Sequence, residues 1–175
     1  MGLVKTSMPS PVGVLKLVAS DAGLVAVLWP EDNPKRVRLE EAREDASHPV
    51  LKKAVVQLEE YFAGQRTEFD LPLDARGTEF QKLVWEQLLA IPYGKTRSYG
   101  EIAMRLGRPT ASRAVGAANG RNPLSIVVPC HRVIGTSGAL TGFAGGLETK
   151  RVLLELEGAS MPRQKPLFSI NTSKI

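Results

Sequence analysis

Residues 96–120 read TRSYGEIAMRLGRPTASRAVGAANG. Ser98 stands three residues before Glu101, the spacing at which a hydroxyl and a carboxylate cap each other's backbone amides. Tyr99, Ile102, Ala103 and Leu106 then share one helical face, and Gly107 stops the helix. After a short turn, RPTASRAVGAANG starts a second helix. Two short helices around a glycine-containing turn predict a helix-turn-helix.

The second helix is unusually smooth. Ala111, Ala114, Gly116, Ala117, Ala118 and Gly120 are all small, and Arg113 is its main projection. A helix that reads bases in a major groove presents long polar side chains. A smooth one either packs tightly inside the protein or approaches a narrow groove closely, where deformation counts more than base-edge reading. Charge favours the second use. Lys95, Arg97, Arg105, Arg108, Arg113 and Arg121 crowd this region against the single acid Glu101. Over the chain, residues 1–76 hold 10 Lys/Arg against 12 Asp/Glu, and residues 77–175 hold 13 against 6. The basic half has the footprint expected for an anionic partner, nucleic acid above all.

Downstream lies NPLSIVVPCHRV, residues 122–133. Asn122-Pro123 breaks the helix, and Ser125–Val128 is an apolar, β-branched run expected to be buried. Pro129 turns the chain onto Cys130, the only cysteine, which precedes one of two histidines, His131. Two readings fit this pair. The cysteine is a small core residue, or it is a nucleophile whose proton a nearby base removes. Adjacent side chains often diverge, so His131 would act directly or through a bridging water. A working imidazole also needs an orienting acceptor. No aspartate follows Asp74, which leaves Glu79, Glu86, Glu101, Glu148, Glu155 and Glu157 in this half. The closing helix ETKRVLLELEG puts Thr149, Val152, Leu153 and Leu156 on one face and ends at Glu157. An acid there opposes the helix dipole. Glu157 is therefore a candidate for a role elsewhere, such as orienting His131. Between the two motifs, IGTSGALTGFAGG forms a glycine-rich loop with a turn at Ser137-Gly138, able to fold over a flat ligand. It lacks the GxxxxGK[ST] pattern of a phosphate loop.

The first half reads as scaffold. Residues 12–29 predict two strands around Asp21-Ala22-Gly23. Residues 31–45 are charge-rich and predict an exposed connection. HPVLKKAVVQLEEYFAG predicts an amphipathic helix on Leu51, Ala54, Val55, Leu58 and Phe62, stopped by Gly64; TEFDLPL is a further strand candidate. A boundary falls near Arg76-Gly77. Thr78 with Gln81 then opens a helix whose buried stripe is Phe80, Leu83, Val84, Leu88 and Ile91, ended by Pro92. The expected fold class is α+β: a small N-terminal antiparallel β-sheet domain with a helix (1–76), then a mostly α-helical domain containing the helix-turn-helix (77–158), then a tail (159–175). No apolar run reaches the ~20 residues that span a bilayer, and the start lacks a secretory apolar segment. A lone cysteine excludes a disulfide framework and a Cys-rich zinc site. A free thiol suits a reducing compartment, so the expectation is cytoplasmic.

PCHRV, preceded by RAVGAANGRNP and followed by GGLETKRVLLELEG, closely resembles the O6-alkylguanine-DNA alkyltransferases. The resemblance is strong over about residues 60–158 and weak over the N-terminal hairpin. It implies a monomer that binds duplex DNA from the minor groove, flips an O6-alkylguanine (or O4-alkylthymine) out of the stack, and transfers the alkyl group irreversibly to its own cysteine. By the same resemblance Cys130 attacks the alkyl carbon, His131 accepts the thiol proton through water, and Glu157 holds His131. Asn122 is the hinge between the recognition helix and the cysteine segment, and Tyr99 hydrogen-bonds the guanine N3. Arg113 fills the vacated space in the stack, with Ser112, Ala114, Ala118, Gly120 and Tyr99 against the DNA. Val133, Phe143, Ala144 and Gly145 line the base pocket, largely through backbone groups. The family commonly has tyrosine and serine where this chain has Phe143 and Ala144. No cofactor, metal or membrane partner is implied. Cys130 argues against a non-catalytic binder of alkylated DNA, the smooth helix against a plain regulator, and the helix-turn-helix against a thiol hydrolase.

Overall fold

A computed structural model of the chain describes residues 2–135, 138 and 140–159. Ser137 of the expected glycine-rich turn and most of the expected tail lie outside them. The elements run β1 (Leu3–Met8), β2 (Leu15–Ala19), β3 (Leu24–Leu28), β4 (Ala42–Glu44), α1 (Pro49–Phe62), α2 (Glu79–Leu89), β5 (Arg97–Ser98), α3 (Tyr99–Arg105), α4 (Ser112–Gly120), a 3₁₀ turn (Cys130–Arg132), β6 (Val133–Ile134) and α5 (Leu147–Leu156). The expected α+β class holds.

The first sheet has the order β3-β2-β1-β4. β1, β2 and β3 pair antiparallel, and β4 adds in parallel beside β1. Two parts of this sheet differ from the sequence expectation. β1 was not foreseen, and 31–45 is not simply an exposed connection. It supplies β4 and brings Leu39 and Ala42 against Leu3, Val18, Val25 and Ala26 on the outer face of the sheet. Its charges hid that role, because three apolar residues among many polar ones carry no period. TEFDLPL contributes one bridge, Leu24 to Leu73, rather than a strand. Gly23 permits that approach, since a Cβ there would lie 2.6 Å from the Pro72 carbonyl oxygen.

The inner face of the sheet joins a continuous core. Leu15, Leu17 and Leu24 meet Leu51, Leu58 and Tyr61 of α1, and the same cluster runs through Trp85, Ile102 and Val115 to Cys130 and Leu153. The edge strand β3 also binds the second half of the chain. Val27 N–H donates to the Pro123 carbonyl at 2.9 Å, and Val27 bridges Leu124. The edge is thereby covered rather than left open to pairing.

The helix caps and stops act as read, whereas the expected α2 stripe shifts: Leu83 is exposed and Trp85 is buried with Val84 and Leu88. Thr78 with Gln81 and Ser98 with Glu101 form complete capping boxes on α2 and α3. Gly64 and Gly107 end their helices at φ +74° and +73°. α3 and α4 pack together, and both rest on α2. Trp85 of α2 donates its indole N–H to the Ala118 carbonyl at 2.9 Å, which fixes α4 from behind. β5 and β6 pair in parallel, Arg97 with Val133 and Ser98 with Ile134, so the start of α3 is tied to the cysteine segment.

Ser98→Ala removes one partner of the box that starts α3. The expected loss is about 1 kcal/mol of unfolding free energy, read as a lower denaturant midpoint at unchanged slope.

Candidate active site

Cys130 opens the 3₁₀ turn that follows Pro129 and is buried. Its segment is held by Asn122. The Asn122 Nδ2–H donates to the Val128 carbonyl at 2.8 Å, and Oδ1 accepts from Leu124 N–H at 3.0 Å. Both ends of this fully buried amide are spent on the loop that leads to the cysteine. Within that loop Ile126 has φ +73°, a left-handed conformation that costs a β-branched residue on the order of 1–3 kcal/mol. The surrounding hydrogen bonds and burial hold it there.

Behind the thiol stands a buried charge network. Glu157 caps the C-terminus of α5 and turns its carboxylate inward. Oε2 accepts from Tyr61 O–H at 2.6 Å, from His131 Nε2–H at 2.7 Å and from Arg132 Nη2 at 3.0 Å. Oε1 accepts from Arg132 Nε at 2.8 Å and from Gly94 N–H at 3.4 Å. Gly94 sits at φ +78°, and a Cβ there would come 3.1 Å from the Glu157 carbonyl oxygen. Burial alone would raise the carboxyl pKa, but hydrogen bonds from His131 and Arg132 overcome it and hold the group at about 2. Burial pushes the His131 pKa down despite its bond to Glu157, so the imidazole is neutral. With Nε2 donating to Glu157, Nδ1 carries the lone pair, and it has no protein partner. Burial, with Glu157 alongside, keeps Tyr61 far above the ordinary phenol range, so it remains a donor.

Burial raises the Cys130 pKa; Asn122, Arg36 and Lys150 oppose that rise. The Asn122 N–H is aimed at the Val128 carbonyl, so its help to sulfur is secondary. The resting thiol is protonated. Lys150 is fully buried, and its Nζ has no hydrogen-bond partner. Burial lowers its pKa to about 8, against the pull of Cys130, and Nζ lies 5.8 Å from the centre of the Phe143 ring.

A cavity of about 220 Å³ opens at the thiol, lined by Arg36, Tyr99, Gly116, Asn119, Gly120, Cys130, Gly142, Phe143 and Ala144. One wall is α4, and the opposite wall is the 142–144 loop. A larger cavity, about 690 Å³, lies on the outer face of the first sheet and shares no residue with this one. It has no cysteine in its lining. The thiol, not the volume, marks the functional pocket.

The structure sorts the expected residues. Cys130, His131, Glu157 and Asn122 come together as described. Tyr99, Gly120, Phe143 and Ala144 line the cavity. The Tyr99 hydroxyl is paired with Thr141 Oγ1 at 2.7 Å. Arg113 and Ala114 are exposed on α4, with Ser112 half-buried at its start. Ala118 is a correction: its side chain is buried and packs inward, so it offers no surface contact. Val133 and Gly145 lie off the cavity. Val133 is fully buried in β6, and Gly145 lies against Trp29, where a Cβ would meet the indole at 2.8 Å.

Sequence reasoning missed Tyr61, Arg132, Lys150, Arg36 and Asn119. The inward stripe of α5 includes Lys150, Leu153, Leu154 and Glu157, whereas Thr149, Val152 and Leu156 are only half-buried. Lys150 and Glu157, seven residues apart on the face that also carries Leu153 and Leu154, were the available signal. Arg36 binds Asp32 through Nε and Nη2, and its Nη1 reaches the Gly120 and Asn122 carbonyls at 3.1 and 2.8 Å. It thus clamps the end of α4 from the first half of the chain.

Fold and site define a helix-turn-helix protein whose recognition helix forms one wall of a pocket ending on a buried, unpaired thiol. Residues 79–159 match the 6-O-methylguanine DNA methyltransferase DNA-binding domain, and residues 3–75 match the ribonuclease-like domain of the same family. A methylated-DNA–protein-cysteine methyltransferase of Mycolicibacterium paratuberculosis is 50% identical over 93% of this chain and 96% of its own. One from Methanosarcina acetivorans is 49% identical over 86% and 95%. The crystal structure of Mycobacterium tuberculosis OGT in complex with DNA superposes with a TM-score of 0.81 at 50% identity, covering 89% of this chain and 92% of that one. The chain belongs to the 6-O-methylguanine DNA methyltransferase family.

The carboxylate network gives a pH signature. Below pH 4.5 the unfolded chain takes up a proton at Glu157, while the folded chain does not until about pH 2. Glu157 therefore contributes about 3 kcal/mol at neutral pH, lost as pH falls through that window. Denaturant midpoints measured from pH 6 to 3 should fall more steeply for the wild type than for Glu157→Gln. Parallel curves would mean that the carboxylate is not held this way.

Proposed function

We propose that this protein repairs DNA by transferring the alkyl group of an O6-alkylguanine, and of O4-alkylthymine, to Cys130 in one irreversible step. The observation that carries this reading is the buried thiol at the end of a pocket walled by the recognition helix, backed by a neutral histidine on an ionised glutamate. The relatives named above are methylated-DNA–protein-cysteine methyltransferases.

The partner is duplex DNA, approached from the minor groove. The smooth surface of α4 and the basic excess around it suit close approach to phosphates. Arg113 is the longest projection on that surface and, on this reading, fills the stack when the damaged base swings into the pocket. Ser112, Ala114 and Gly120 lie along the same helix as close-contact positions. The protein works as a monomer in the reducing cytoplasm, and among the described residues no helix is long and apolar enough to cross a membrane. Residues 1–76 and 77–158 form its two domains.

The chemistry is an in-line displacement. The Cys130 proton passes to His131 Nδ1 through a bridging water as Sγ attacks the alkyl carbon. The carbon–O6 bond breaks, and its electron pair returns to the purine, which regains a proton on N1. Tyr99 eases that departure by hydrogen-bonding N3, exchanging its bond to Thr141 for one to the base. Coupling proton loss to attack suits a thiol whose pKa burial has raised. The Glu157 carboxylate holds the imidazole in the tautomer that accepts at Nδ1. The cation of Lys150 favours the thiolate as it forms. Val133 and Gly145 support the pocket from behind rather than by side-chain contact. Among the described residues none is placed to cleave a thioether, so on this reading each molecule acts once, and the step as written calls on no cofactor or metal.

Intact mass spectrometry after mixing with a duplex holding one O6-methylguanine should show a single added methyl on Cys130, saturating at one per chain. Absence of any mass change would remove this function. Cys130→Ala should still bind the duplex. Arg113→Ala should slow methyl transfer from duplex at least tenfold while leaving the reaction with a small free alkylating agent unchanged. An equal loss in both would place Arg113 in thiol activation instead.

A further inference from the structure

A cleft of about 230 Å³ runs along the seam between the two halves of the chain. Ten residues line it, and five of them are cations: Lys35, Arg36, Arg38, Arg76 and Arg121. None is an acid. Two of the cations are neutralised from outside the wall. Arg36 pairs with Asp32 at 2.6 Å, and Arg76 lies between Asp74 at 3.1 Å and Glu40 at 3.3 Å. Lys35, Arg38 and Arg121 have no ion pair among the described residues. Like charges gathered in one cleft repel each other unless an anion answers them.

The groups are also placed as an oxyanion needs them. Arg121 is the C-cap of α4, and its Nη1 donates to the Lys35 and Arg36 carbonyls at 3.0 and 3.3 Å. The guanidinium is thereby fixed across the seam, with Nε and Nη2 unpaired among the described residues. Gln81 lines the same wall and accepts from Thr78 N–H through Oε1 at 2.9 Å, which leaves its amide N–H groups to donate. Lys35 and Arg38 are exposed, and their side chains make no hydrogen bond among the described residues. An arginine held in place matches the paired oxygens of a phosphate, and a lysine beside it adds charge. We propose that this seam is a phosphate-binding cleft, in which Lys35, Arg38 and Arg121 meet the charge of the group and Gln81 donates to one of its oxygens.

Two sources offer that group, the backbone of the duplex and a free phosphate. Position favours the duplex. Arg36 lines both this cleft and the thiol pocket, and Gly120 of the pocket immediately precedes Arg121 of the cleft. Duplex DNA carries a charge every ~1.7 Å of axis, so a strand that delivers a base beside Gly120 has further phosphates to lay along the seam. This choice of source rests on the alkyl-transfer reading. It carries the duplex contact beyond the helix-turn-helix into the first half of the chain, which holds more acids than bases.

The test compares the wild type with a double variant, Lys35→Gln with Arg38→Gln, and with Arg121→Gln. Lys52→Gln, at an exposed lysine of α1, controls for simple loss of charge. Affinity for an undamaged duplex, which cannot react, is measured across a range of salt. Each phosphate contact adds about 0.9 to the slope of log K against log salt. The double variant should lower that slope by about 2, Arg121→Gln by about 1, and Lys52→Gln not at all. The double variant breaks no contact of the fold, so it reads binding even where Arg121→Gln unfolds. The second arm is the thermal midpoint in inorganic phosphate against chloride at equal ionic strength. Phosphate also stabilises proteins by exclusion from their surface, so the readout is the gap between wild type and double variant. Unchanged slopes with a phosphate-dependent gap would assign the cleft to free phosphate and keep the proposal. Unchanged slopes with no gap, or an equal fall in Lys52→Gln with no gap, would overturn it; methyl transfer from a damaged duplex, read by mass, would still leave the alkyl-transfer reading standing. A phosphate gap in a protein that binds no duplex and takes no methyl would do the reverse.

Discussion

The Glu157 carboxylate is the point on which the site depends. A buried carboxylate with no partners would cost several kcal/mol and would simply protonate. Here five donor groups on four residues, from three parts of the chain, converge on it: Tyr61 from α1, His131 and Arg132 (twice) from the 3₁₀ turn, and Gly94 from the turn after α2. Each donor is placed by the need to satisfy one charge. Because His131 and Cys130 are adjacent, fixing the imidazole anchors the segment that carries the thiol.

The pocket wall is set by a different constraint, close approach of backbones. The small residues of α4 leave the pocket wall smooth beside Tyr99, whose ring a Cβ on Gly116 would meet at an ordinary contact distance of 3.7 Å. Arg36 and Trp85 grip the C-terminal half of α4 through the carbonyls of Ala118, Gly120 and, just beyond, Asn122. The helix can therefore present a bare surface outward without relying on its own side chains for anchorage. Ile126 shows how tightly the loop to Cys130 is determined, since its backbone is held where a β-branched residue is disfavoured.

How much of this was legible in sequence depended on range. The capping boxes at Thr78 and Ser98 and the stops at Gly64 and Gly107 are local and read directly. Glu157 was readable because an acid at a helix C-terminus is locally unfavourable and therefore points to a tertiary partner. Tyr61, Arg36 and Arg132 were not readable. Each acts across a long sequence separation, and an arginine or a tyrosine on a helix or loop looks like ordinary surface. Lys150 was misplaced because lysine is rarely buried, and the α5 face was drawn without it. Asn119 was passed over as part of a smooth helix, where its side chain is the exception. The strand at 42–44 was hidden for a different reason: it is largely exposed, and only its pairing with β1 makes it a strand.

Tyr61, Arg36 and Trp29 come from the first half of the chain, and all three bear on a thiol in the second. Nothing about the first half announces chemistry, yet it supplies a donor to the carboxylate, a clamp on the recognition helix and a floor beneath the Phe143 loop. The two halves are thus not exchangeable parts. A chimera that joined this C-terminal half to an unrelated scaffold would inherit the reactive residue without its alignment. Lineages of such proteins are expected to change the two halves together, with compensating substitutions concentrated at the three crossing points rather than around the cysteine itself.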